Sequence, residues 1–225
     1  MKKYHFKLLL DIIMTICFIC IMKIKITGMS LHEKLGIIIF VLICTHLILN
    51  YKWIKGVSGK LFDKKMKPII KVSYALNVLL CLLILIIVIS GIMISVTIFT
   101  QISAGNREIW ANVHKTASLS AFICISILVG LHWKMVMAGF KKMFRIKKSN
   151  KIRTSILRLI TSLIMVLGLI SLSNNSILHK ALNISAKSRY SNTTKVQAAC
   201  EYVSIMGLFI GGTYYTLEKK NKKKV

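Results

Sequence analysis

Four of the six histidines in this 225-residue chain lie in long apolar stretches, two to a stretch. His32 and His46 bracket EKLGIIIFVLICT, and His114 and His132 bracket KTASLSAFICISILVGL. An imidazole is costly in hydrocarbon unless its nitrogens find partners. On an α-helix, fourteen residues fall about 40° short of four turns, so His32 and His46 share a face roughly 21 Å apart along the axis. The eighteen residues from His114 to His132 make five whole turns and put that pair on one face about 27 Å apart. Each separation sets one imidazole near each leaflet of a bilayer whose hydrocarbon core is about 30 Å thick. A haem iron takes four nitrogens from its porphyrin and two axial ligands from protein. Four imidazoles at two depths therefore predict two haems, an outer iron held by His32 and His114 and an inner iron held by His46 and His132.

The neighbouring residues suit a flat macrocycle. Gly36 lies one turn after His32, and Ala117, Ser118 and Ala121 follow His114 on its face. Gly130 precedes His132. Small residues let a disc, or another helix, approach the backbone. Lys34, Arg107 and Lys115 stand where they would meet propionates of the outer haem, and Lys52 and Lys134 where they would meet those of the inner one. Two rival readings use the same residues. The histidines, with Asp11 and Asn77, would line a proton or ion path in a non-redox transporter. Alternatively they only hydrogen-bond between helices in an anchor or assembly protein.

The elements that must position these residues are membrane spans. The chain is 55% hydrophobic with a mean hydropathy of +0.67, beyond what soluble domains usually reach. Apolar runs predict an all-α, polytopic membrane bundle with six spans at about 6–24, 32–51, 72–98, 109–137, 155–173 and 198–216. One span lies between the two histidine-bearing spans, so those two run parallel. The net charge of +27 would suggest nucleic acid in a soluble chain. Here its placement argues for topology. With a cytoplasmic N-terminus, 24 of the 33 Lys and Arg residues fall on the cytoplasmic side. That bias puts both termini inside, in a bacterial cytoplasmic membrane, with anionic lipid as a partner and no nucleic acid.

Asp11 sits inside the first span, either as an interfacial acid beside Lys7 or Lys3 or with a proton or quinone role. That span is read as a retained helix, since no small-residue cleavage site follows Met22. The six cysteines act as small apolar residues, and the isolated Cys17-x-x-Cys20 has no second pair. No CxxCH occurs, so a covalent c-type haem has no attachment signature. Pro68, the single proline, falls in the basic loop before the third span. The polar loop 174–195 faces outside and holds Asn183-Ile184-Ser185 and Asn192-Thr193-Thr194, both of the glycosylation pattern. The lysine-rich tail is a basic cytoplasmic end.

His32-x3-Gly36, His46-x3-Asn50 with Trp53 downstream, Ser90-Gly91, His114 and the Leu131-His132-Trp133-Lys134 run together resemble the flavinylation-associated cytochrome family. These are small bacterial four-helix, di-haem b-type membrane cytochromes related to ferric reductases. The resemblance covers about residues 3–140, making 1–140 a cytochrome-like core and 141–225 a basic loop with two further spans and a basic tail. It implies two non-covalent b haems and electron transfer across the membrane. It also implies an extracytosolic flavin-carrying protein as acceptor. The last two spans carry no family motif. No glycine-rich nucleotide fingerprint follows a strand. The chain therefore reads as an electron-transfer subunit rather than a complete enzyme, with quinol or a cytoplasmic reductase as donor.

Overall fold

A computed structural model describes residues 2–102, 105–146, 151–174 and 194–222. Most of the polar loop, with His179, Asn183-Ile184-Ser185 and all but the last residue of Asn192-Thr193-Thr194, lies outside them. The described residues form eight helices. They are α1 (Lys2–Ile21), α2 (Ile24–Thr27), α3 (Met29–Ser58), α4 (Pro68–Ile94), α5 (Arg107–Leu131), α6 (Trp133–Met143), α7 (Lys151–Asn174) and α8 (Lys195–Lys222). Four of them, α3, α4, α5 and α7, are long and apolar enough to cross a membrane. The fold is all-α, and these four helices point to a multi-pass membrane protein.

The surface agrees with that assignment. On α4, Val78, Leu79, Leu82, Leu85, Ile86 and Ile89 are all exposed and recur at helical spacing. Ser73 and Ser90 on the same helix are buried. A greasy outer face over a more polar inner one is unsuited to water and suited to lipid. The buried side chains concentrate on α5, where Ala117, Ala121, Phe122, Cys124 and Leu128 lie at helical spacing.

Local chemistry sets the helix ends. Pro68 is the first residue of α4, not a loop residue, because a helix's first N–H needs no intrahelical partner. Gly28, between α2 and α3, has φ of 76°, a conformation L side chains rarely adopt. The expected fourth span is two helices. At His132 the backbone turns to φ −99° and ψ 10°, ending α5 and starting α6. After α6 the Ile146 N–H reaches the Lys141 carbonyl at 2.9 Å, with Arg145 in the left-handed region at φ 52°. This closure usually carries glycine.

Contacts divide the chain into two compact units, Met1–Ala121 and Phe122–Val225, with the boundary inside α5. In the first, α1 packs along α3, and α3 meets α4. In the second, α7 and α8 form a close pair. A side chain at Gly207 would strike Ile164, and one at Gly168 would strike the Ser204 carbonyl. One at Gly211 would come within 2.6 Å of Met165 Sδ. Gly207-x3-Gly211 thus acts as the small-residue face that lets two membrane helices touch. Gly130 serves similarly, lying against Ile210 and Thr213 of α8. Phe122 packs edge-on to Tyr202, centroids 5.6 Å apart.

Candidate functional site

The first unit brings His32 and His114 together. Their ring centroids are 6.2 Å apart, with ring planes at 65°. Helix α4 prepares His114. Its Nδ1 lies 3.0 Å from the Ile87 carbonyl and 3.2 Å from Ser90 Oγ. The Ser90 hydroxyl donates to the Ile86 carbonyl at 2.6 Å, which leaves its oxygen to accept. Nδ1 therefore carries the proton, and Nε2 keeps its lone pair. The missing side chain of Gly91 makes room for the ring. An added Cβ would stand 3.3 Å from His114 Cε1. The Ser90-Gly91 pair thus cradles His114.

His32 is the mirror case. Its ring hydrogen-bonds the Ile21 backbone, while its Nδ1 is buried without a partner. Such a vacancy typically costs about 1–3 kcal/mol. Each ring thus spends one nitrogen on a backbone carbonyl and holds the other in reserve. Metal-bound histidines are prepared in this way. A metal–imidazole bond of about 2 Å, with the ring centre about 1 Å behind its nitrogen, would separate two coaxial rings by about 6 Å. Beside Gly36, one turn along, an added Cβ would meet nothing within 4 Å.

No cluster of three or more His, Cys, Asp or Glu side chains stands ready for a metal among the described residues. A bare ion would find two protein ligands here, too few for a closed site. An iron that brings four equatorial nitrogens needs only two. The residues present fit that group.

A residue that sequence reading passed over locks this end of the unit. Glu33 at the start of α3 accepts five hydrogen bonds from the turn after α4. They come from Ser95 Oγ (2.8 Å), Thr97 Oγ1 (2.5 Å) and the N–H groups of Val96 (2.9 Å), Thr97 (3.2 Å) and Ile98 (3.0 Å). Arg107, expected at a propionate, donates to the Ile94 carbonyl at 2.7 Å. It therefore closes the same α4 end from the α5 side. Lys34 and Lys115 are exposed, and Ala117 and Ala121 are buried.

Lower on α3, His46 belongs to a second polar group. Its Nδ1 lies 2.8 Å from Asp11 Oδ1 on α1. The Asn50 side-chain amide donates to the His46 carbonyl at 2.9 Å and passes His46 Nε2 at 3.2 Å. Lys7 Nζ donates to the Leu49 carbonyl and to Asn50 Oδ1, each at 2.8 Å. Asp11 was expected beside Lys7 or Lys3. Lys7, one turn before it, instead reaches across to Leu49 and Asn50, and Asp11 is left for His46. His132 lies in the second unit, at the α5–α6 junction, between the exposed Lys134 and the buried Gly130. Lys52 is exposed. Asn77 donates to the Ser73 carbonyl of its own helix at 2.7 Å.

Comparison with models of known families, with curated proteins and with solved structures finds no match. The fold and site define a class, an all-α chain with four membrane-length helices and a pair of prepared imidazoles between two of them.

Proposed function

We propose that this chain is a transmembrane b-type cytochrome of the kind its motifs resemble, the flavinylation-associated cytochromes. On this reading it carries electrons across the bacterial cytoplasmic membrane on two bis-histidine haems. It draws them from quinol or a cytoplasmic reductase and passes them to an extracytosolic flavin-carrying protein. Six spans with both termini inside complete the proposal, adding α1 and α8 to the four membrane-length helices. When bound, haem b supplies one-electron ferric–ferrous chemistry at each iron.

The observation that carries this reading is the His32–His114 pair, 6.2 Å between ring centres, with His114 Nδ1 bound to the Ile87 carbonyl. His32 and His114 would hold the outer group, with Gly36 leaving space and Ser90 and Gly91 orienting His114. His46 and His132 would hold the inner group. A second reading, a proton path, draws on the Lys7–Asn50–His46–Asp11 chain of contacts. It gains nothing from Asn77, whose amide is spent on Ser73.

The test is the reduced-minus-oxidised absorbance of the full chain purified in detergent. A b-type signal with about two haems per chain is expected. A folded, colourless protein would refute the cytochrome reading and favour the proton path.

A further inference from the structure

The break at His132 leaves α6 as an element with little protein around it. Its one buried residue is Gly139, which has no side chain. Trp133, Val136, Met137 and Phe140 are half-buried, and Met143 and Phe144 are exposed. Among the described residues α7 and α8 pack closely on each other, and no helix packs along α6 in that way. Helical spacing puts the tryptophan, both phenylalanines, Val136 and Met137 on one face. Phe140 and Phe144 stack, with ring centroids 6.3 Å apart and planes at 3°. Lys134 and Lys141 stand about 80–100° round from Trp133, at the edge of that face, and both are exposed. Arg145, also exposed, adds charge at the far end. From Ile109 to Cys200 the chain has no acidic residue, so the anion that would match this edge is not supplied by its own segment.

Lys115 and Lys134 enclose an uncharged stretch. Its nineteen helical steps rise about 28 Å, close to the roughly 30 Å of a hydrocarbon core. The span therefore ends at Lys134. The headgroup layer adds only about 5–8 Å beyond the core on each side. Continued straight, α6 would carry Phe144 about 15 Å past that boundary, into water. Laid along the surface, it keeps its apolar face at the acyl boundary and its cations among the headgroups. Basic amphipathic helices with Trp and Phe on the apolar side bind membranes in this way.

We propose that α6 is an interfacial helix seated on anionic phospholipid, with Lys134, Lys141 and Arg145 at headgroup phosphates and Phe140 and Phe144 in the acyl boundary. The negative surface of the cytoplasmic leaflet supplies the complementary charge. The change of direction falls at His132, where the backbone leaves the helical region at φ −99° and ψ 10°. This inference rests on the multi-pass membrane assignment and not on haem, so it and the cytochrome reading fail independently.

The experiment is hydrogen exchange of the full chain in nanodiscs of phosphatidylcholine and in nanodiscs enriched in phosphatidylglycerol. The amides of residues 140–143 decide, because Lys134 meets the surface whichever way α6 runs. A basic residue near an anionic surface is worth about fivefold in binding. Three of them, partly retained on local opening, should slow exchange at 140–143 about tenfold in the anionic discs. The combined variant Lys134→Gln, Lys141→Gln, Arg145→Gln should lose that difference, and Lys134→Arg with Lys141→Arg should keep it. Exchange in α7 and α8 should stay the same throughout. Salt at 1 M, with a Debye length of about 3 Å, should shrink the difference. Equal exchange in the two lipids, or a difference that survives the Gln substitutions, would overturn the proposal. So would the same protection in phosphatidylcholine discs on adding soluble glycerol phosphate, which would mark a site for free anions. Should the Gln variant fail to fold, the wild-type comparison across lipids and salt decides alone.

Discussion

Replacing Glu33 should open the end of the first unit that holds His32 and His114. Its carboxylate takes three backbone N–H groups and two hydroxyls from residues 95–98. A hydrogen bond to a charged group is worth about 1.5–3 kcal/mol net, and a neutral one about 0.5–1.5 kcal/mol. Five such bonds do not sum, because four converge on Oε2 and the group is only half-buried. Solvent also screens the charge. Glu33→Ala strands all five donors at a partly wet rim, for a local cost of about 3 kcal/mol. Glu33→Gln keeps one acceptor oxygen and loses charge assistance, for about 1.5 kcal/mol. Hydrogen exchange at the Val96, Thr97 and Ile98 amides reads this directly. Opening free energies of about 3 and 1.5 kcal/mol correspond to roughly 150-fold and tenfold faster exchange. Unchanged exchange in E33A would refute the clasp. An E33Q effect as large as that of E33A would refute the role of the charge.

Other perturbations bear on other parts of the chain. On the cytochrome reading, His114→Ala should lower haem content from about two per chain to about one, as read by pyridine haemochrome assay. Gly207→Leu should destabilise the α7–α8 pair by about 1–3 kcal/mol through overpacking against Ile164, measured by unfolding in mixed micelles. Phe122→Ala should cost about 3–5 kcal/mol in the same assay, since the side chain is 1% exposed and packs on Tyr202. Arg145→Gly should stabilise α6 by about 1 kcal/mol by relieving its left-handed backbone.

Much of the helical plan was legible because hydrophobic runs report directly on burial in lipid. That His32 and His114 come near each other could be expected from their places at the start of helices taken to run the same way, and their ring centroids lie 6.2 Å apart. Other features depend on contacts no local pattern displays. Glu33 meets partners more than sixty residues away, and nothing about a lone glutamate at a helix start marks it as a clasp. Asp11 stood out as an acid in an apolar span. Its expected partner was Lys7 or Lys3, because both lie near it along the same helix. The break at His132 has no proline or glycine at that position to announce it. The Gly207-x3-Gly211 spacing was visible and went unread. Its partner face, around Ile164 and Gly168, lies about forty residues earlier in the chain, beyond the reach of any local pattern.

The polar side chains of these helices follow one rule, and its exceptions fall at the site. Hydrocarbon offers no hydrogen bonds, so a polar group there must find a partner within the protein. Thr45 donates to the Val41 carbonyl, Ser58 to Ile54, Asn77 to Ser73 and Ser126 to Phe122, each one turn back along its own helix. Ser171 and Ser204 meet each other across α7 and α8. Among the described residues, two buried side-chain polar atoms lack any partner, Thr27 Oγ1 and His32 Nδ1. They lie five residues apart, where α2 gives way to α3. Among the described residues His32 Nδ1 is thus the one buried ring nitrogen without a partner, on a ring whose centroid lies 6.2 Å from that of His114. The Ile21 and Ile87 carbonyls each hold one of these two rings by a hydrogen bond, the kind of second partner that orients histidine ligands.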